Sequence, residues 1–376
     1  MTPNTAMLVR PHNETKRLIR RLKLDRSQRL RHTIQIAFVL LNAWLGLQFY
    51  LWVRFFERGG VGLRIPRPSG AEGWLPIAGL MNFKVLLFTG RVPAIHPAAM
   101  FLFMAFLAMS LCAKKSFCSW LCPVGTFSEM LARIGKKFFR HNFRLPRWLD
   151  ILLRGLKYLL LAFFVLIIGA MSAAAIGDFM HTPYGLIADV KMLNFFREMS
   201  QTAAIVLAAL VILSVLVENF WCRYLCPYGA LMGLVSLLSP LKIRRDSAAC
   251  INCSRCAHAC PASLPVDKLA KIRSAECTAC MACIASCPAE GALRFSLAPG
   301  GAPTALGTLA MHRTSATTLP RFRRPVTPLA MAAIIAFIFL GTILVARATN
   351  HWHTNIPDSV YLELVPNADQ ATHPGY

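Results

Sequence analysis

Long apolar runs alternate with short polar ones along this chain. Five stretches of about 20 apolar residues stand at 33–53, 93–113, 156–177, 202–221 and 327–346, and a helix of that length crosses a bilayer core. Four connecting segments and two tails make up the rest. One connection differs in kind, because residues 241–296 lack a long apolar run and are dense in cysteine. Composition agrees with the pattern: 56% apolar residues and a mean hydropathy of +0.49 are too greasy for an ordinary soluble protein of 376 residues.

Charge orients the predicted helices, since short cytoplasmic loops collect Lys and Arg. Nine Lys/Arg against two acids precede residue 33, ten against two lie in 114–157, and thirteen against four in 222–326. By contrast, 178–201 carries two Lys/Arg against three acids, and the tail after Arg347 has three acids and neither Lys nor Arg. Only the outer loop 54–92, with six Lys/Arg against two acids, fits poorly. The expected topology has the N-terminus inside and the C-terminus outside. Such a topology, with anionic lipid head groups beside it, accounts for the net charge of +24 without nucleic acid. The first apolar run is a full span behind a long basic tail, which is not the pattern of a cleaved signal peptide.

The thirteen cysteines carry the chemistry. Cys-x3-Cys-Pro occurs four times, at Cys118/Cys122, Cys222/Cys226, Cys256/Cys260 and Cys283/Cys287. The last two copies complete Cys-x2-Cys-x2-Cys-x3-Cys-Pro runs, the bacterial ferredoxin spacing for [4Fe-4S] clusters. Zinc sites pair Cys-x2-Cys knuckles instead, and a reducing cytoplasm disfavours disulfides. In two-cluster ferredoxins the fourth cysteine serves the other cluster. Cluster one is therefore expected on Cys250, Cys253, Cys256 and Cys287, and cluster two on Cys277, Cys280, Cys283 and Cys260. The resulting fold class is an α-helical integral membrane protein, with five transmembrane helices and an inserted cytoplasmic α+β two-[4Fe-4S] ferredoxin-like domain. Its expected segments are a basic tail (1–32), a four-helix membrane core (33–240), the ferredoxin-type domain (241–296), a flexible linker (297–326), a fifth helix (327–347) and a periplasmic tail (348–376).

The first two copies lie at membrane helix ends, in FCSWLCPVG (117–125) and WCRYLCPYG (221–229). Cys, Leu, Cys, Pro and Gly match in register, and Trp120 aligns with Tyr224. Each follows an outward helix, an outer loop and an inward helix, so the two units form a parallel repeat about an axis along the membrane normal. That symmetry is expected to gather Cys118, Cys122, Cys222 and Cys226. Four soft thiolates suit a third iron–sulfur cluster, Cu(I) or Zn; the plainer alternative is that Cys-Pro ends each helix and packs.

This layout resembles the membrane polyferredoxin family, which includes NapH-type and NosR-type proteins and the cupric reductase of cbb-type oxidase assembly. The resemblance covers roughly residues 33–295. It implies a multi-pass protein of the bacterial inner membrane that relays electrons between a quinol or cytoplasmic donor and a respiratory or periplasmic partner protein. A metalloreductase taking Cu(II) to Cu(I), or a redox-sensing regulator, are the alternatives. The chain departs from each member: it has no NosR-type flavin domain, a helix more than NapH-type chains, and a short tail where the cupric reductase has a domain.

Weaker candidates remain. His96 and His181, one in each repeat-related outer loop, suit a haem or metal pair or a quinol-site base, with ordinary interfacial hydrogen bonding as the alternative. Residues 314–317 read TSAT, short of a flavin-attachment SGAT. His351 and His353 could meet copper from a tail expected to be disordered. Neither a nucleotide fingerprint nor a substrate pocket is legible, which favours electron transfer over stand-alone catalysis.

Overall fold

The computed structural model describes residues 25–140, 143, 145–297 and 325–373. Most of the basic tail, the linker and the TSAT segment lie outside the described residues. The first apolar run becomes α1 (Ser27–Glu57), 31 residues and about 46 Å long. The expected outer loop then holds α2 (Pro76–Thr89), an apolar helix started by Pro76 and stopped by Gly90 at φ 68°. Charge counting read residues 54–92 as a plain loop. In fact α2 packs along α3 (Pro97–Ala113), whose side chains are the most thoroughly buried of the long helices described.

After α3 the left-handed residue Lys114 (φ 60°) breaks the helix, and the chain doubles back as α4 (Ser116–Trp120). Phe117 stacks on Phe106 at 3.8 Å, which holds the first twin motif against α3 rather than beyond its end. Next come α5 (Pro123–Phe139) and α6 (Arg147–Ala170). The third expected span was 156–177; α6 begins at Arg147 and stops at Ala170, because Ser172 Oγ accepts the Ala175 N–H and caps α7 (Ala173–Met180). Two short helices follow, α8 (Pro183–Leu186) and α9 (Ala188–Arg197), and α9 meets α10 (Gln201–Leu216) at a 79° bend. A π-helical turn (Trp221–Leu225) carries the second twin motif into α11 (Pro227–Ser236).

The ferredoxin-like module is small. Strands β1 (Leu241–Arg245) and β2 (Leu293–Leu297) pair antiparallel, Leu241 opposite Leu297, around the single-turn helices α12 (Arg255–His258) and α13 (Ala282–Ala285). The chain then re-enters the apolar core as α14 (Pro328–Ala348), and α15 (Asp358–Leu364) lies in the C-terminal tail.

Among the described helices, three are long and apolar enough to cross a membrane: α1, residues 148–170 of α6, and α14. The other two expected spans are shorter, α3 at 17 residues and α10 at 16. At 1.5 Å per residue α3 covers about 25 Å, a little less than a bilayer core.

The far end, opposite the cysteines, is closed by a buried charge network. Arg67 reaches both Glu72 (2.8 Å) and Asp189 (2.6 Å), while His96 Nδ1 stands 3.4 Å from Glu72 and His96 Nε2 lies 2.9 Å from the Gly185 carbonyl. The C-terminal tail joins it, because Thr354 Oγ1 donates to Glu72 and Trp352 and Tyr361 are buried. A tail expected to be disordered is thus folded, tied by a carboxylate that the chain buries completely. Burial opposes charge on Glu72, but Arg67, His96 and Thr354 together hold its carboxyl down to about 2. Burial likewise opposes protonation of His96, and Glu72 and Asp189 overcome it, raising the imidazole above 6.5.

The contribution of Glu72 is therefore complete above about pH 4.5 and fades as pH falls toward 2; that of His96 is complete below 6.5 and fades as pH rises through its raised value. Protection of residues 351–373 from proteolysis is expected to peak between those limits. Glu72→Ala should cost about 3–5 kcal/mol, read as a lower unfolding temperature in detergent with early release of the tail.

Candidate metal centres

Each twin motif is shaped by the helix that follows it. Pro123 and Pro227 take the first helical position of α5 and α11, where a missing N–H costs nothing. Cys122 and Cys226 become the N-caps. The Gly229 N–H donates to Cys226 Sγ (3.2 Å), and the Gly125 and Val124 N–H groups lie close enough to Cys122 Sγ to favour negative charge on it. A helix N-terminus thus faces each of these sulfurs and favours negative charge there, although burial pushes the Cys122 thiol up to about 12. Cys118 and Cys222 lie one turn earlier, and all four thiols feel one another electrostatically. They line one cavity of about 870 Å³, which runs on between α1, α3 and α14 toward Ser69 and His353 at the far end.

The repeat is not symmetric in its anchors. Trp120 Nε1 donates to the Ala279 carbonyl (3.2 Å) in the ferredoxin-like module, whereas its repeat mate Tyr224 donates to Asp150 Oδ1 (2.7 Å) on α6. Arg223 also pairs with Asp150, at 2.7 Å.

In the module, each run bends the same way around its second cysteine. Asn252 and Ser254 flank Cys253, Ala279 and Met281 flank Cys280, and all four have φ between 51° and 58°. Left-handed residues of this kind turn successive N–H groups toward one point and make an anion-binding hollow, which fits the sulfides of a cubane. A small cavity is lined by Cys250, Cys253, Cys256 and Cys287. Cys260 comes from the other run to lie near Cys277, Cys280 and Cys283. Cys253 is exposed and Cys250 half-buried, while Cys277 and Cys283 are buried. One end of the module therefore meets solvent and the other meets the helices.

Residues 274–280 thread in among the helices. Ser119 Oγ donates to the Thr278 carbonyl (2.6 Å), Gln28 Nε2 to the Cys280 carbonyl (2.8 Å), and Lys157 Nζ to both oxygens of Glu276 (2.6 and 2.7 Å). Burial would raise the Glu276 carboxyl, but Lys115 and Lys157 hold it below its usual value. Cys280 lines the same large cavity as the four twin-motif thiols. Lys115 lies there too, 4% exposed, and no hydrogen bond ties its ammonium to a described residue. A buried cation is costly unless anions face it, and Glu276, which Lys115 shares with Lys157, is one. Four thiolates around an iron–sulfur cubane are such an anion, so the residues fit the group.

Lys115, Lys157 and Glu276 escaped the sequence reading, which counted the two lysines as topology charges. Lys157 carried a signal, being the one charged residue in the expected apolar run 156–177. His96 and His181 are not placed alike: His96 sits inside the far-end network, and His181 is exposed with Nδ1 2.8 Å from the Gly177 carbonyl. Among the described residues no three His, Cys, Asp or Glu side chains converge to hold one metal ion. Cys112 is exposed on α3, apart from every motif.

Comparison with known proteins supplies a family. Residues 95–146 and again 199–246 match a 4Fe-4S binding domain, and 242–288 match a 4Fe-4S dicluster domain. YccM of Escherichia coli (strain K12), whose name describes electron transport, is 45% identical over 91% of this chain and 91% of its own length. The ferredoxin-type protein NapH of the same organism is 26% identical over 40% of this chain and 49% of its own. The regulatory protein NosR of Pseudomonas aeruginosa is 27% identical over 50% of this chain and 26% of its own. No solved structure matches.

The two motif glycines are predicted to differ under substitution. A Cβ at Gly125 would stand 2.3 Å from the Cys118 carbonyl oxygen, but at Gly229 the nearest atom is 3.4 Å away and is the movable end of Lys115. Gly125→Ala should therefore lower the iron content of the purified protein while Gly229→Ala leaves it near wild type, as iron analysis of both variants would show.

Proposed function

The chain belongs to the NapH/NosR-like membrane polyferredoxin family, and on that footing we propose that it passes single electrons through three iron–sulfur centres in a line. Cys250, Cys253, Cys256 and Cys287 hold the first; Cys277, Cys280, Cys283 and Cys260 hold the second; Cys118, Cys122, Cys222 and Cys226 hold the third. Clusters bound there supply one-electron carriers whose potentials the surroundings tune. The observation that carries this reading is the shared cavity, in which Cys280 lies with the four twin-motif thiols and the buried Lys115.

The protein's own residues do the rest. Helix N-termini at Pro123 and Pro227 and the N–H hollows around Cys253 and Cys280 would turn backbone N–H groups toward the negative charge of a bound cluster. Glu276, clamped by Lys157, keeps the second run against the twin motifs so that electrons cross a short gap. Exposure at Cys253 makes the first centre the place where a soluble partner is met. A copper-reducing centre is less well supported, because the ligands of one ion converge more tightly than thiols that bind separate irons of a cubane, and no such convergence exists among the described residues.

In this account α1, α3, α6, α10 and α14 all cross the bacterial inner membrane, the short α3 and α10 with help from the helices packed on them. The N-terminus and the clusters face the cytoplasm and the C-terminal tail faces outward, as the charge distribution favours. The large cavity is lined along its length by Phe38, Leu41, Leu45, Phe106, Phe339 and Ile343. It offers a lipid-soluble quinol an apolar route to the four thiols. His96 then serves as a structural partner of Glu72 rather than as a metal ligand.

Purified protein is expected to contain about twelve iron and twelve sulfide per chain, three times the content of one [4Fe-4S] cluster. Cys118→Ser should remove about four of each and leave the ferredoxin-type signals intact, and Cys283→Ser should abolish transfer while the helices still insert. About eight iron in the wild type, unchanged by Cys118→Ser, would overturn the third centre.

A further inference from the structure

A row of cations with no carboxylate partner among the described residues lies where the module meets the helices. Arg244 on β1 stands directly opposite Arg294 on β2, and on its other side it bridges to Lys271. Like charges opposite one another on neighbouring strands are destabilising, and this sheet places three in line. Lys242 lies two residues along the same face, Arg273 two residues beyond Lys271, and Lys114 at the end of α3 feels both Lys242 and Lys271. Among the described residues no carboxylate forms an ion pair with any of these six. Two guanidinium nitrogens of Arg244, Nε and Nη2, are moreover buried with no hydrogen-bond partner. Folding has gathered the cations and left donors unsatisfied, which an anion at this spot would repair.

The position of the row favours one kind of anion. Lys242 Nζ donates to the Leu237 carbonyl at the end of α11 (3.3 Å), beside the exposed Leu237 and Leu238. The far end of β2 carries the exposed Leu297, and the Val326 N–H bonded to the Phe295 carbonyl (2.7 Å) leads straight into α14 with Leu329 exposed. Exposed leucines beside lysines and arginines mark the level of lipid head groups. We propose that the face formed by Lys242, Arg244, Lys271, Arg273 and Arg294, with the buried Lys114 behind it, binds the phosphate of an anionic phospholipid and so seats the ferredoxin-like module on the membrane surface. The proposal rests on the membrane placement above but not on the third cluster.

The test uses full-length protein in neutral detergent, titrated with phosphatidylglycerol, with phosphatidylcholine and with inorganic phosphate, and bound lipid read by native mass spectrometry. Phosphatidylglycerol is expected to bind in preference to phosphatidylcholine, and the double variant Arg244→Gln, Lys271→Gln to weaken it roughly thirty-fold, as loss of two cations at a lipid surface implies. The single exposed-face variant Lys242→Gln should weaken it by a smaller factor with iron content unchanged, which separates lost binding from lost folding. Equal affinity for the two lipids, or variants that bind as wild type, would overturn the site. Saturation by inorganic phosphate that displaces no lipid, or displacement of lipid by an acidic polypeptide at stoichiometric concentration, would assign the row to a free anion or to a protein partner and overturn the lipid assignment.

Discussion

The whole arrangement depends on a buried joint between Lys157, Glu276 and Lys115. Lys157 is fully buried on α6, and its ammonium grips both oxygens of a glutamate that immediately precedes Cys277. In low dielectric such a pair contributes little net stability over apolar packing, but losing one partner leaves a charge stranded at about 3–5 kcal/mol. Its value is thus specificity of position. It lets the second cysteine run enter the helices in one register only, with Ser119 and Trp120 completing the seam to Thr278 and Ala279. Lys115 then stands between that joint and the four twin-motif thiols, so the charge that fixes the module also faces the proposed third centre.

The twin motifs illustrate how a repeat can be kept in chemistry and relaxed in support. Both use Cys-Pro to place a thiol at a helix N-terminus, and a left-handed residue precedes each motif, Lys114 directly after α3 and Asn219 three residues past Leu216, beyond the extended Val217 that closes α10. Their supports have diverged. The first is an α-turn tied to the ferredoxin-like module through Trp120, and the second a π-turn tied to α6 through Tyr224 and Arg223. That division allows one half of the site to answer to the module and the other to the membrane helices.

Much of this was legible in residue order. The spacing of the eight module cysteines, the repeat of the twin motifs and the greasy helices follow from local pattern, because cluster spacing and bilayer thickness act over short stretches of chain. The misread features have physical reasons. Residues 76–89 hid as a helix because the loop charges around them dominated the count, and α6 started early because Arg154 and Lys157 looked like loop charges although Asp150 and Glu276 neutralise them. The far-end network was invisible since its members, Arg67, Glu72, His96, Asp189 and Thr354, come from four separate segments. Pairing at such sequence distance is a property of the fold, and no local pattern announces it.

If the module is held against the twin motifs as the joint implies, three reduced clusters lie close enough to interact magnetically. Low-temperature EPR of the fully reduced protein, with power saturation and spin quantification, tests that directly. The account predicts about three spins per chain in a broadened, fast-relaxing spectrum that simplifies when Glu276 is replaced by Gln. Two sharp, independently saturating signals that Glu276→Gln does not alter would contradict it.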